Sequence, residues 1–591
     1  MFGLGGKQTF SQRTYPTRCR PIPSQPYSRI CRLIRPHCAR AARGGAAMIL
    51  LSATLAFALV TADQDSHHNH GAQLGKISFE TSCNVNANTS FQRGLGWLHS
   101  FEYRRAEQSF SEAAAADPGC GIAAWGVAMS YYHPLWDGPT PAELEKGKQA
   151  IEKAKAVGAN SRREKDYIAA LDIFYRSSDR LDLKTRAFAH SAAMEQLHNR
   201  YPQDDEAAVF YALSLIATGT MDGDPSFPRQ RQAGAILNNV LAKNPDHPGV
   251  AHYLIHGFDY PAFAELALPA ARRYATIAPD SAHAQHMPSH IFIRLGLWDE
   301  AISSNRAAEA AARAFAQSSG MAGAWDQQLH AMDYLAYAYL QCGRDAEAQQ
   351  VLDELEAIKQ ADPPTRTVAY AVTAIPARLA LERRQWREAA SLELPPALQG
   401  LSALANHKWA VAHIHFARAI GAARSGNARL AHAEVAKLAG LEQALTIRAG
   451  EYDWRKQVSI ERQIAAGWAA HVDGNDHDAV RVMRAAAGLD DATEKNPVTP
   501  GAILPAREQL GELLLELGRP ADALTEYETS LKRAPRRLAG LFGAARAAKL
   551  AGDRTKARSY YALVVELTKN SDGTRAEVKE ARAFVAEFAV R

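Results

Sequence analysis

The chain has 591 residues, too many for one compact core, so either several domains or one extended repeat array is required. Its 47% hydrophobic and 22% charged residues are ordinary for a water-soluble protein. The formal net charge of +5 sits largely in the Arg-rich, acid-poor first 44 residues. The remainder is near balance and lacks the clustered basic footprint of a nucleic-acid binder, so no nucleic-acid partner is expected.

Residues 1–47 form no recognisable element, and a true start at Met48 would account for them. The apolar run from Met48 to Val60 follows Arg40 and Arg43 and ends in Val60, Thr61 and Ala62, a small-residue pattern that a signal peptidase cuts. It falls short of the about 20 apolar residues that span a bilayer. Residues 48–62 therefore read as an export signal cut after Ala62, giving a periplasmic or secreted protein; left uncut, they would be a membrane anchor. Residues 63–86 read as a linker that carries the His-rich stretch His67, His68 and His70. Cys83 and Cys120 flank the first repeat and are expected to pair as a disulfide in an oxidising compartment. Cys342 reads as a small buried hydrophobe, and the absence of C-x-x-C excludes a zinc ribbon or redox motif.

From residue 87 the chain repeats itself. Tyr103, Ala106 and Pro118 place one repeat at 87–120, and Trp125 opens the next. Pro245 and Pro279 lie one repeat apart and bound 248–281. Gly296, Trp298 and Ala301 define 282–315, and Gly343 with Ala348 fixes a repeat starting near Leu329. Trp386 with Ala389, Gly426 with Ala431, and Gly474 with Ala479 mark three more. The clearest pair, 504–537 and 538 onward, has Gly518 and Gly552 at the turn, Ala523 and Ala557 five residues later, and Tyr527 and Tyr561 four further on. Gly permits the turn, Ala permits close helix approach, and Pro535 ends the second helix. This spacing, about 34 residues, resembles the tetratricopeptide repeat (TPR). The fold expected is all-α, a right-handed α-solenoid of TPR-like helix-turn-helix repeats over 87–495 with a C-terminal pair at 496–591. Long Pro/Gly-rich loops interrupt it at 133–141 and 221–228, and the stretch from Asn496 to Pro505 reads as a joint between sub-domains.

The resemblance to TPR arrays implies that positions 2, 5, 9 and 12 of a repeat face the groove. Counting from Pro248, His252, His256 and Asp259 fall at positions 5, 9 and 12. Counting from Ala282, His283, His286 and His290 fall at 2, 5 and 9. Counting from Leu329, His330, Asp333 and Tyr337 do the same. The register comes from Gly, Ala and Pro rather than from the histidines, so their convergence on one face is informative. Imidazoles at i, i+4 and on a neighbouring helix are a usual way to hold a metal of intermediate hardness. His252, His256, His283, His286 and His290 are the expected ligands, with Asp259, His330, Asp333 and Tyr337 as supporting groups. Copper, zinc and iron all suit such donors. A polar network that locks adjacent repeats is the structural alternative, and His99, His198 and His471 read as structural.

The stretches from His247 to His256 and from His283 to Phe292, with the His-Met-Pro-Ser-His core, resemble a family of bacterial TPR proteins, as do Phe101–Ala106 and Ala123–Met129. The resemblance covers about residues 79–350 and implies no activity. Three functions remain open: a scaffold with a His-lined metal or ligand site, a scaffold that docks protein or peptide partners without metal, and a metal-dependent enzyme with Tyr337 or Asp259 near an open position. The last requires a deep site, walled by Trp298, Trp325 and Phe292. TPR-like clamps for peptide carboxylates tend to use Lys, Arg and Asn where this groove has His and Asp. His252 and His256 have the spacing of a zinc-protease helix, but Tyr253 stands where the general-base Glu belongs.

Overall fold

The alanines placed five residues after each turn, Ala106, Ala301, Ala348, Ala389, Ala431, Ala479, Ala523 and Ala557, are all fully buried. Each sits where the second helix of a hairpin crosses the first. The turn before it needs a left-handed residue, and Gly296 and Gly518 supply one with φ of 68° and 69°. Phe101 and Arg384 occupy the same place in their repeats with φ of 54° and 57°. A non-Gly residue there carries backbone strain.

The structure, a computed structural model, describes residues 72–135, 138–447 and 451–589. The expected segments 1–47 and 48–62 and the His67–His70 stretch lie outside the described residues. No helix among the described residues is long and apolar enough to cross a membrane. The fold is an α-solenoid of helical hairpins. Val85–His99 pairs with Tyr103–Ala116, Gly121–Met129 with Pro141–Val157, and Arg162–Tyr175 with Leu183–Arg200. Asp205–Asp222 then pairs with Pro228–Lys243, and Pro248–Phe258 with Ala264–Ile277. The next first helix is split at Met287 into Ala282–His286 and Pro288–Leu295, because Pro288 cannot donate to the turn before it. Both halves pack on Trp298–Ser318, and Asp326–Gln341 packs on Asp345–Glu356. Arg366–Glu382, Ala412–Arg424, Trp454–Val472, Ala506–Glu516 and Leu538–Leu550 open the later hairpins, and Ala576–Ala589 closes the described chain. The strands among the described residues are Ala324–Trp325 and Ala361–Asp362, a two-residue parallel pairing.

Two segments expected as connectors are packed. Residues 72–84 of the linker bond Asp280, Asp246 and Asn244 at their start and then pack on the first hairpins, with Phe79 buried against Phe91 and Tyr167. Asn496, Val498, Thr499 and Ile503 of the Pro-rich segment are buried. Tyr334 donates to the carbonyls of Pro497 or Thr499 at 3.0 and 3.1 Å. Tyr370 donates to Gly501 O at 3.2 Å, and Arg378 Nη2 donates there at 2.6 Å. The segment expected as a joint is thus a strap across the inner helices. The last repeats continue the contact: Trp298 Nε1 donates to Arg536 O at 2.9 Å, and Arg537 pairs with Glu382 at 2.7 Å.

Candidate metal centre

Pro248–Phe258 is a short helix with a firm start: His247 caps it by accepting from Val250 N, and Pro248 stands at its first position. His252 and His256, one turn apart, leave it on one face. Ser281 caps the next helix and ties it to the first repeat through a 2.9 Å bond to Glu102. That helix and its continuation carry His283, His286 and His290, and Asp326–Gln341 brings His330 alongside.

These residues form two adjoining triads. The ligand atoms of His252, His256 and His283 lie within 4.8 Å of one another, as do those of His286, His290 and His330. The His256 and His290 rings are 6.0 Å apart, and the His283 and His286 rings 6.2 Å. All six are buried, His256 most accessibly at 6%. His330, expected as a supporting group, therefore stands in the second triad beside His286, with ring centroids at 4.1 Å.

The outward nitrogens of His252, His283, His286 and His290 are already committed. His252 Nδ1 donates to His99 O at 2.6 Å, His286 Nδ1 to Asn305 Oδ1 at 2.6 Å, and His290 Nδ1 to Asp259 Oδ2 at 3.0 Å. Asn305 gives its own amide hydrogen to Ala301 O at 2.8 Å, which fixes its oxygen as the acceptor. His283 Nδ1 lies 3.2 Å from Gln327 Oε1. A neutral imidazole has one N–H, so the Nε2 atoms of His252, His283, His286 and His290 present lone pairs inward, that of His290 also 3.4 Å from the Tyr334 hydroxyl. His252 and His283 face each other Nε2 to Nε2 at 3.2 Å, and His286 and His290 at 3.1 Å. Lone pairs that close repel unless a cation lies between them. A proton is a poor one here: burial drives all six imidazoles below their ordinary value, His283 to about 3, with neighbouring histidines adding to the effect at every one but His290, where Lys495 and Arg294 add to it and Asp259 opposes it. His256 Nε2 is buried with no hydrogen-bond partner.

Asp259 anchors the second triad. Burial would raise its pKa, but Lys495 at 2.8 Å and Arg294 at 2.8 Å hold it well below the usual carboxylate range. Around the imidazoles the wall is aromatic. Phe101 packs on His252, His256 and His283 with ring centroids at 4.4, 5.5 and 5.8 Å. Tyr274 stacks on His252 at 5.2 Å, and Tyr334 packs on His286 at 4.6 Å.

Several expectations need correction. Trp298 packs on Tyr337 and Trp325 on Phe315, so neither supplies the wall. Asp333 and Tyr337, expected to support the imidazoles, serve a separate layer. Asp333 pairs with Arg378, and the Tyr337 hydroxyl accepts from Arg537 Nη1 at 2.9 Å. A buried carboxylate is held by a nearby cation, and Arg378 supplies it. Cys83 and Cys120 are disulfide-bonded with Cα atoms 5.1 Å apart, and Cys342 is a buried free thiol.

A third buried group, His99, Glu206 and His247, also has its ligand atoms within 4.8 Å. Here the protons match. Glu206 accepts from His99 Nε2 at 2.9 Å and from His247 Nε2 at 3.0 Å. The opposite nitrogens accept, His99 Nδ1 from the Tyr253 hydroxyl at 3.0 Å and His247 Nδ1 from Val250 N at 3.3 Å. Against its burial, the two histidines hold Glu206 below the carboxylate range. Sequence reasoning left His99 as a single structural residue and missed the group, as it missed Phe101, Asn305 and Gln327. For Phe101 a signal existed: it stands five residues before Ala106, where other repeats have Gly.

No protein-family model and no curated protein matches the chain. Among solved structures it is similar to human IFIT1, as a dimer with m7Gppp-AAAA, at 13% identity, covering 83% of this chain and 96% of that one with a TM-score of 0.35. It is similar to yeast Tom70 at 10% identity, covering 85% and 96% with a TM-score of 0.32. The APC/C hetero-tetramer Cut9-Hcn1 matches at 12% identity, covering 80% and 78% with a TM-score of 0.32. At these TM-scores none of them carries a function across to this chain.

Proposed function

We propose that this chain is an exported helical-repeat protein that binds transition-metal ions through six buried histidines, His252, His256, His283, His286, His290 and His330. One observation carries the reading: two pairs of Nε2 atoms face each other at 3.2 and 3.1 Å while their Nδ1 atoms are committed outward. Two nitrogens each about 2.0–2.1 Å from one tetrahedral ion sit ~3.3 Å apart, which is close to these separations. Outward Nδ1–H bonds to a carbonyl, an amide and a carboxylate are how metal-binding imidazoles are oriented. Export is supported by the apolar run at 48–60 and by the Cys83–Cys120 disulfide.

The test is elemental analysis of the untagged protein after mild dialysis, beside a His256→Ala/His290→Ala variant. The expected result is stoichiometric metal in the first and its loss in the second. Equal, substoichiometric metal in both sinks the reading.

A protein-docking function is the second reading, and the strap favours it. Tyr334, Tyr370 and Arg378 of the inner helices hold a turn-rich segment through its backbone carbonyls, and backbone carbonyls are groups that every peptide carries. A pull-down from envelope proteins that survives chelator and the histidine variants supports it.

A further inference from the structure

We infer that the two triads hold one copper ion each, in the cuprous state; this rests on the metal-binding reading above and narrows it. The donors are the first reason. Each triad offers three neutral imidazoles, and neither includes a carboxylate or thiolate. A structural zinc site has four protein donors, and a catalytic one has three plus a water. Three imidazoles in a dry pocket suit an ion that is content with three nitrogens, and copper is among the metals imidazole prefers.

Charge is the second and stronger reason. Two divalent ions with neutral donors would place four positive charges in a low-dielectric interior. The cost of burying an ion rises with the square of its charge, so a singly charged ion pays about a quarter as much. The surroundings do not compensate for dications. Asp259 is the carboxylate bonded to the cluster, at His290 Nδ1, and it already faces Lys495 at 2.8 Å and Arg294 at 2.8 Å. Both cations are only 10% exposed, so solvent does little to screen them. Glu102 is buried near the first triad, bonds Ser281 and lies 3.9 Å from Arg105. Nearby acid is therefore matched by nearby base, leaving little negative charge for a second positive charge on either ion. The aromatic wall of Phe101, Tyr274 and Tyr334 excludes water that would otherwise help a dication.

The arrangement also predicts independence of the two ions. His252 and His283 share a facing pair in one triad, His286 and His290 in the other, and each triad has its own outward anchors. Removing a ligand from one triad should leave the other loaded.

The experiment is an anaerobic titration of the full-length, metal-free chain with Cu(I) buffered by bicinchoninate, followed by X-ray absorption. The expected result is two Cu(I) per chain in a three-nitrogen shell, with His256→Ala and His290→Ala each retaining one ion. An equimolar challenge of Zn(II)-loaded protein with Cu(I) should displace the zinc. Circular dichroism of each variant, with His256→Gln and His290→Gln as milder changes, separates ligand loss from unfolding. One ion per chain, or two Zn(II) ions that Cu(I) does not displace, overturns this inference and leaves the metal-binding reading standing. No ion of any kind overturns both.

Discussion

His247 caps the helix whose next two turns carry His252 and His256, so two kinds of buried imidazole cluster adjoin one short element. The His99–Glu206–His247 group and the two triads are equally buried and equally rich in ligand atoms. They differ in where the protons point. In the first, a carboxylate sits between two imidazole N–H groups, and both remaining nitrogens accept from Tyr253 and Val250. In the triads, the N–H groups of His252, His283, His286 and His290 point outward and their Nε2 lone pairs face each other in two pairs. Proximity of ligand atoms is common to all three groups; the match of donors to acceptors is what sets them apart.

The largest effect expected from breaking this comparison is on stability. Glu206→Ala strands two buried imidazole N–H groups, so it should cost about 3–5 kcal/mol, read from urea unfolding of the metal-loaded protein. The same variant should keep its full metal content. If it loses metal, the three groups act as one unit and the distinction fails. Next in size is metal itself: at a free-ion concentration 100-fold above Kd, stability should rise by about 2.7 kcal/mol per independent site, and the His256→Ala/His290→Ala protein should show no such rise. Asn305→Ala removes the acceptor that orients His286, so affinity at the second triad should fall about 10–100-fold while the first is unchanged. A competition titration reads both sites.

The smallest effect concerns pH. Imidazole pKa values are lowered in the folded chain, to about 3 for His283, chiefly by burial. The unfolded chain then binds more protons, so the stability these groups contribute is present above about 6.5 and is lost as pH falls through about 3. Buried acids such as Glu461, pushed up to about 8 by burial, slope the other way, losing stability as pH rises. Those acids are common to wild type and to the His256→Ala/His290→Ala variant. The stability of metal-free wild type relative to that variant should therefore decline on acidification, and a constant difference from pH 7 to pH 4 would contradict the burial argument.

The hairpins were legible because their determinants are local. Gly518 and Ala523 lie five residues apart, and a helix converts that spacing directly into a crossing point. The histidines were legible for the same reason, since spacings of three and four leave one helix face. What the sequence hid is long-range. His99 O reaches His252 from 153 residues away, and Lys495 reaches Asp259 from 236. Asp333 was read to the wrong partner because Arg378 lies on another helix, and no periodicity announces that pairing.

The strap has a further consequence for how the chain comes apart. Repeat arrays usually unfold piecewise, because each repeat touches only its neighbours and stability adds up along a line. Here Arg378 meets Gly501 across 123 residues, Arg575 meets Asp345 across 230, and Arg537 bonds Glu382 across 155. Such links close large loops and couple the last repeats to those around the imidazoles, so the fold should melt more as a single cooperative block than as a zipper, and fraying at its C-terminal end would be felt at the histidine triads.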